Sequence, residues 1–428
     1  MKCSHRHDEN RDKLMTSTIF RSSISFFYAI IYMEGIMLLT LSLIILVGYS
    51  LSAIAGRLHL PRIVGMLLAG IVLGPFVLDL VADEVLAISI DLRKIALVII
   101  LLRAGLSLDL RDLKAVGRHA VLLSIVPASL EIIGALILGP ILLGLTLLES
   151  AILGTILAAV SPAVLVPKML QMVEDKIGTK KSIPQMIMAG ASVDDIYVIF
   201  LFTALVTMAS EGSFDANVLL SLPISIMAGV VTGIILGLGF VWFFKKHHIR
   251  DTTKVLLILS FALFFLTIEQ LKLFPFSGLL GTMSLGITIL AKYPLLAGRL
   301  VKKYEKIWVF AEMLLFVLVG VAVDITTIPS VGLYSVLLIF GLLVFRSLGV
   351  YLATKGKSLT FKEQLFTIFA YIPKATVQAS IGSIPLAMGI SNGNTMLTVA
   401  VLAILITAPI GSLLIEVTKK PLLETELN

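Results

Sequence analysis

Apolar residues run in long blocks along this chain, and polar residues gather in short knots between them. Thirteen blocks are long and apolar enough to be read as membrane-crossing helices, because roughly 20 helical residues span the hydrocarbon core. They fall at about 36–56, 61–80, 94–108, 119–145, 149–171, 183–208, 219–243, 254–271, 275–292, 307–324, 332–353, 362–386 and 393–416. Leu, Ile and Val fill them without the alternation of a barrel strand, so the predicted class is an all-α polytopic membrane protein of about 13 transmembrane helices. The third block is short and holds Arg103. Residues 1–35 stand apart as an N-terminal extension, and the stretch 17–33 is a candidate fourteenth helix despite Arg21 and several serines. No small-residue cleavage site of the usual form marks it as a secretory signal.

Composition narrows the class further. The 428 residues are 58% hydrophobic and only 14% charged, against about 25% charged in soluble domains. Cys3 is the single cysteine, which excludes an intrachain disulfide and a thiolate metal site. The net charge of +7 invites a nucleic-acid partner, but its placement argues for orientation in a bilayer instead. Lys and Arg crowd the connections after odd-numbered segments, for example Lys168, Lys176, Lys180 and Lys181, then Lys245, Lys246, Arg250 and Lys254. Connections after even-numbered segments hold only Arg93, Lys94 and Lys272. The positive-inside rule makes the first set cytoplasmic, and with it the tail 417–428, which carries Lys419 and Lys420. Thirteen spans then place the N-terminus outside, whereas Lys2, Arg6, Arg11 and Lys13 favour the inside and would call for the fourteenth helix.

Two segments carry breaks. The fifth contains Ala159-Val160-Ser161-Pro162 and then Pro167; the twelfth contains Tyr371-Ile372-Pro373-Lys374 and later Pro385. Proline removes a backbone donor and clashes with the preceding turn. Freed backbone at membrane depth is tolerated where it lines a cavity or is buried in protein. Breaks at matching places in two halves point to a transport site built on inverted repeats. Segments 1–6 and 8–13 form those repeats, with 219–243 as the linker helix between them; two unrelated kinks are the bland alternative. The expected division is a scaffold or dimer part (36–108 and 254–324) and an ion-carrying core (119–208 and 332–416), within a transporter at 36–416.

Charge inside the apolar blocks supplies the candidate chemistry. Asp194 and Asp195 lie together in the sixth segment, Glu131 in the fourth, Arg346 in the eleventh and Lys374 in the twelfth. An ionised Asp at mid-bilayer costs at least ~2.5–3.5 kcal/mol, so such residues mark ion pathways and proton relays unless they form a mutually satisfied pair. Neighbouring residues on a helix point about 100° apart, so Asp194 and Asp195 have different jobs. One can face a wet cavity while the other contacts a neighbouring helix. A carboxyl that holds either a proton or a small cation, but not both well, is sufficient for exchange. Unwound carbonyls near Ser161 and its hydroxyl offer further oxygen ligands for a hard cation. Lys374 can offset the carbonyl ends at its break, and Glu131 is expected to pair with Arg346, since an unpaired buried charge is costly. Arg346 cannot release a proton, so it orients or neutralises. Arg103 is expected to face the bundle and pair with a carboxylate or carbonyls. The spacings Gly65–Gly70–Gly74 and Gly229–Gly233–Gly237 fit close helix packing. The histidines fall at the termini or in connections, and no cofactor motif occurs.

Four stretches, in order, resemble the monovalent cation:proton antiporter family, the sodium/proton exchangers. They are Leu60-Pro61-Arg62-Ile63-Val64-Gly65 with Gly70 to Pro75, Ala159 to Pro167, Gly190-Ala191-Ser192-Val193-Asp194-Asp195-Ile196, and Pro373-Lys374-Ala375-Thr376-Val377-Gln378-Ala379. The last three look most like the NHA-type branch. The resemblance implies the sodium/proton antiporter fold and a homodimer whose six-helix core moves like an elevator. It implies Na+ or Li+ exchanged for H+, with Asp195 the main ion- and proton-binding carboxylate and Asp194 assisting. Many electrogenic relatives carry a lysine in segment 11; Arg346 stands there in this chain, which leaves one-for-one and two-for-one exchange both open.

The expected function is therefore secondary active antiport and not an enzyme reaction, with the transported ions and membrane lipid as partners, in a bacterial inner membrane. A K+/H+ exchanger, a sodium-coupled organic-anion symporter and a passive cation channel are the alternatives within transport. An intramembrane aspartyl protease needs two carboxyls sharing a proton across a site, which diverging neighbours on one helix cannot do.

Overall fold

The computed structural model describes residues 37–58, 60–107, 118–211, 216–271, 274–356 and 359–425. The extension 1–35, with the candidate helix 17–33, lies outside the described residues. Those described are helical apart from turns and one isolated antiparallel bridge between Ile177 and Thr425. In chain order the helices are α1 (Met37–Arg57), α2 (Arg62–Leu73), α3 (Asp83–Ser107), α4 (Arg118–Leu143), α5 (Leu147–Ala158), α6 (Pro162–Glu174), α7 (Ile183–Glu211), α8 (Ala216–Lys246), α9 (Asp251–Leu271), α10 (Gly278–Lys292), α11 (Pro294–Val321), α12 (Ile328–Thr354), α13 (Phe361–Ala370), α14 (Thr376–Ile381), α15 (Ile384–Ala387) and α16 (Gly393–Leu422).

Each of the thirteen apolar blocks overlaps a helix or a broken helix, although the second, expected at 61–80, is helical only over Arg62–Leu73 and continues as a turn. Among the described residues, eight helices are long and apolar enough to cross a membrane by length and composition, the pair α5–α6 counting as one. Their outward faces carry large apolar side chains such as Leu46, Ile141, Trp242, Phe264, Val344 and Leu413, as expected where lipid is the solvent.

Several boundaries move from their predicted places. The third block is not short: α3 starts at Asp83, and Asp91, Arg93 and Lys94 are helical. Asp83 and Glu84 in its first turn suit the positive end of the helix dipole, so polar residues extend the helix instead of ending it. The tenth block likewise starts earlier, at Pro294, with Arg299 to Lys306 on α11. The expected tail at 417–428 is helical to Leu422, as the last turns of α16.

Pro167 was expected to mark a break and does not. The break is at residues 159–161; α6 begins at Pro162, where a missing N–H costs nothing, and runs through Pro167. Prolines 127, 140 and 409 also sit inside helices, because bundle neighbours can satisfy the carbonyl each one frees. The twelfth block is broken more thoroughly than expected, into α13, α14 and α15.

The helices pack in two groups. α1, α2, α3, α9, α10 and α11 pack on one another, with α8 laid along α10; α4 to α7 pack with α12 to α16. Contacts between the groups are few and come chiefly from α14 on α3 and α11, α16 on α2, and α7 on α8. Small residues set the tight seams. A Cβ at Gly70 would overlap the Val317 carbonyl, and one at Gly320 the Leu67 carbonyl, so α2 and α11 touch backbone to backbone. Gly229 and Gly233 do the same for α8 against the carbonyls of Ser277 and Gly281.

Candidate functional site

The two broken segments meet at their breaks. Between α5 and α6 the chain is extended at Ala159 and Ser161, and the Ser161 N–H donates to the Pro373 carbonyl at 2.8 Å. Pro373 lies in the unwound stretch between α13 and α14, so the ends of four half-helices converge inside the second packing group. A helix that stops there leaves carbonyls without helical partners, and their partial negative charge faces protein instead of water.

Buried cations meet those carbonyls. Lys374 Nζ donates to Leu157, Arg346 Nη1 to Ala158, and the Gln378 amide to Ala159 at 2.8 Å. Arg346 Nε donates to the Tyr371 carbonyl at the end of α13, at 2.7 Å. The same two cations hold two carboxylates. Arg346 Nη1 lies 2.7 Å from Glu131 Oε2, Arg346 Nη2 lies 3.0 Å from Asp194 Oδ2, and Lys374 Nζ lies 2.6 Å from Glu131 Oε1. Asp194 Oδ2 also accepts the Val160 N–H from the first break, at 2.9 Å. All four side chains are buried. Two cations and two anions therefore form one charge-balanced hub on α4, α7, α12 and the second break.

Asp195 takes the other direction. It lines a narrow cleft with Thr376, Val377, Ser380 and Ile381 of α14 and Ile199 of α7; the opposite wall is Leu97, Ile100, Leu101 and Ala104 of α3 and Met283 of α10. The cleft is thus the seam between the two packing groups. Asp195 Oδ1 and Thr376 Oγ1 are buried there without a hydrogen-bond partner, and so is Ser161 Oγ in the first break. Such atoms have free lone pairs that a hard cation or a proton would satisfy.

The predicted site residues fall in three places. Glu131, Asp194, Arg346 and Lys374 come together, and the expected Glu131–Arg346 pair is present as part of a larger network. Asp195 is separate from them, at the cleft. Ser161 is in the break with Pro162 beside it and is not among the residues lining the cleft. Thr376, Gln378 and Tyr371 stood in the quoted motifs without a role, and Thr407, whose hydroxyl accepts the Lys374 N–H at 3.0 Å, was not singled out. For Thr376 and Gln378 the signal was a polar residue just after a proline break. Arg103 lies over the Trp308 ring, 5.5 Å from its centroid, in the first packing group, so an aromatic face takes part of the role expected of a carboxylate. His119, expected to be a loop residue, sits in the first turn of α4, 3.0 Å from the Ala353 carbonyl.

Comparison with known proteins decides the family. The family model described as "Sodium/hydrogen exchanger, transmembrane" matches residues 41–420. The chain belongs to the sodium/hydrogen exchanger family. This exchanger is 37% identical over 371 residues to sodium/hydrogen exchanger 9B2 of Mus musculus, covering 83% of this chain and 67% of that protein. It is 35% identical over 374 residues to sodium/hydrogen exchanger 9B1 of Homo sapiens, covering 83% and 71%. Its fold is similar to that of the sodium proton antiporter MjNhaP1 from Methanocaldococcus jannaschii, with a TM-score of 0.76, 20% identity, and 89% of this chain and 97% of that one covered. The exchanger is an integral membrane antiporter and not an enzyme.

Proposed function

We propose that this exchanger moves one Na+ or Li+ against one H+, each held in turn by Asp195. The observation that carries the reading is the charge balance of the hub. Glu131 and Asp194 are matched by Arg346 and Lys374, so the hub is neutral without Asp195. An empty, ionised Asp195 adds one uncompensated charge at membrane depth, which is expensive. A bound proton or a bound monovalent cation cancels it equally well. The core can then cross loaded with either ion and is held back when empty, which couples the two flows one for one.

Thr376 Oγ1, Ser161 Oγ and the second oxygen of Asp194 are the oxygens proposed to complete the cation's shell. Asp194 assists from the hub side, where Arg346 and the Val160 N–H fix its other oxygen. The helices α4 to α7 and α12 to α16 form the moving core, and α1 to α3 with α9 to α11 form the scaffold; α8 links them. The sparse contacts across the Asp195 cleft, mostly apolar on the scaffold side, support sliding of one group past the other like an elevator. The scaffold also serves as the surface for a second copy in a homodimer. From the distribution of Lys and Arg, the C-terminal end lies on the cytoplasmic side of a cell membrane.

The test is purified protein in liposomes with Na+, Li+ or K+ gradients, proton flux read by an internal pH dye, and valinomycin with potassium to clamp voltage. Na+ and Li+ gradients should drive proton movement at a rate indifferent to the clamp. A current, or a rate that follows voltage, would overturn one-for-one exchange. Cation flux without opposing proton flux would overturn exchange itself, and a response to K+ alone would overturn the choice of cation.

A further inference from the structure

The two broken segments start in the same way. Thr146-Leu147-Leu148-Glu149 opens α5, and Thr360-Phe361-Lys362-Glu363 opens α13. Both are capping boxes: the threonine oxygen accepts the N–H three residues on, and the glutamate reaches back to the threonine N–H, at 2.9 Å for Glu149 and 2.6 Å for Glu363. A cap needs no further partner, yet each glutamate has one, and each partner comes from the turn that follows the other broken segment. Glu149 Oε1 accepts from Asn392 Nδ2 at 2.9 Å, and Asn392 precedes α16, just past α15. Glu363 Oε2 accepts from Lys181 Nζ at 2.8 Å, and Lys181 lies between α6 and α7. The start of each broken helix is therefore tied to the far end of the other, once at each end of the crossing.

The turn that carries Lys181 is itself held. Its Gly178 N–H donates to the Glu424 carbonyl at 2.8 Å, and Lys180 Nζ lies 3.6 Å from Glu424 Oε2 beyond α16. Gly178 and Ser182 flank the turn in the left-handed region, at φ of 71° and 53°. Ser182 has no freedom of glycine there, and the surroundings must hold it. The opposite tie uses a neutral amide and needs no such support.

We propose that Lys181 and Asn392 are positioning residues that fix the angle at which the two broken helices cross, and through that angle the affinity for the transported cation. The lever is long. α5 has 12 residues and is about 18 Å from cap to break, so a slide of about 2 Å at its capped end tilts it by about 6°. A tilt of that size moves the Leu157, Ala158 and Ala159 carbonyls relative to Lys374, Arg346 and Gln378, and moves Ser161 relative to Thr376. Two of the proposed ion ligands, Ser161 and Thr376, sit at the breaks, while the ties sit at the far ends, so the effect reaches the site without a direct contact.

The inference uses the exchange reading for its transport assay, and a distance measurement tests it independently of that reading. Lys181→Ala, Asn392→Ala and the double variant leave both capping boxes in place. Each single change should raise the half-saturating Na+ or Li+ concentration about fivefold, the effect of one net hydrogen bond, with the maximal rate within about twofold. The double change should exceed the product of the two. Lys181→Arg keeps the ion pair and should behave as the parent. Spin labels at Leu147→Cys and Phe361→Cys, both exposed first-turn positions, with Cys3→Ser, report the crossing by pulsed electron resonance. The distance distribution should broaden in the alanine variants and stay narrow in Lys181→Arg. A broadened distribution with unchanged half-saturation would sever the crossing angle from affinity and overturn the proposal. An unchanged distribution would overturn it as well, whatever the transport shows. Absence of cation-driven proton flux in the parent protein would instead count against the exchange reading, and the distances would still decide whether the ties hold the crossing.

Discussion

The hub can be taken apart one charge at a time, and its geometry sets what each removal costs. Glu131→Gln leaves Arg346 and Lys374 buried against a single carboxylate, Asp194. Breaking a buried pair by removing one partner typically costs about 3–5 kcal/mol, because the survivor stays desolvated and unmatched. Arg346→Gln should cost at least as much. It removes the donor to Glu131, Asp194 and the carbonyls of Ala158 and Tyr371, and leaves two carboxylates against Lys374 alone. The double variant restores neutrality, with Asp194 against Lys374. Its loss should be no larger than that of Arg346→Gln alone, so the coupling between the two positions should reach about 3 kcal/mol or more. The assay is reversible unfolding of purified protein in mixed micelles, with tryptophan fluorescence as the signal and the four proteins measured side by side. Losses that add to within about 0.5 kcal/mol would show that Glu131 and Arg346 do not sense each other, and the charge-balanced-hub account would fail with them.

Three further outcomes follow from the same geometry. Asp195→Asn should abolish cation-dependent proton flux in liposomes while leaving unfolding close to the parent, because Asp195 takes no part in the ion pairs of the hub; surviving flux would remove Asp195 from its role. Apparent cation affinity should rise with pH, since each proton taken off the shared carboxyl frees it for Na+, and the gain is at most about tenfold per pH unit for simple competition. A half-saturating concentration that stays flat from acid to alkaline pH would exclude competition at one group. Gly70→Ala should destabilise the protein by about 1–3 kcal/mol, because its Cβ would overlap the Val317 carbonyl and force α2 from α11. Unchanged thermal stability would mean that this seam is looser than the backbone contact indicates.

Much of this arrangement was legible in the sequence, for reasons that differ by feature. Apolar blocks locate helices because a bilayer offers no water to an unpaired backbone group. The helix ends were read less well. Arg93, Lys94 and Arg299 suggest connections but are helical, because each finds a local partner: the Ser89 carbonyl for buried Arg93, Asp91 for Lys94 and Asp251 for Arg299. Pro162 and Pro373 were read correctly as belonging to breaks, while Pro167 was not one. The letter is the same in each case, and what differs is whether bundle neighbours re-satisfy the carbonyl that proline frees. Glu131 with Arg346 could be paired on charge alone. That Arg346 also holds Asp194, and that Lys374 also holds Glu131, needed the fold, because the residues come from segments far apart in the chain. The parts played by Gln378 and Thr407 were hidden for a simpler reason: neutral polar residues are common in membrane helices, and only the fold sets these two against the carbonyl and N–H groups of the breaks.

The adjacency of Asp194 and Asp195 explains why one carboxyl joins the ion pairs of the hub and the other faces the cleft. A helix turns about 100° per residue, so a pair of neighbours must look into two environments. Asp194 looks inward, where Arg346 and the Val160 N–H hold one of its oxygens and its charge completes the neutral hub. Asp195 looks into the seam, where no cation is within an ion pair's reach among the described residues. Were both turned to the seam, two ionised carboxyls would need two counter-charges, and the hub would carry an unmatched cation. Were both turned inward, nothing would face the cleft to take an ion. The single-helix pair therefore supplies the balancing charge of the hub and one carboxyl at the seam from two residues, which is what the proposed one-for-one exchange requires.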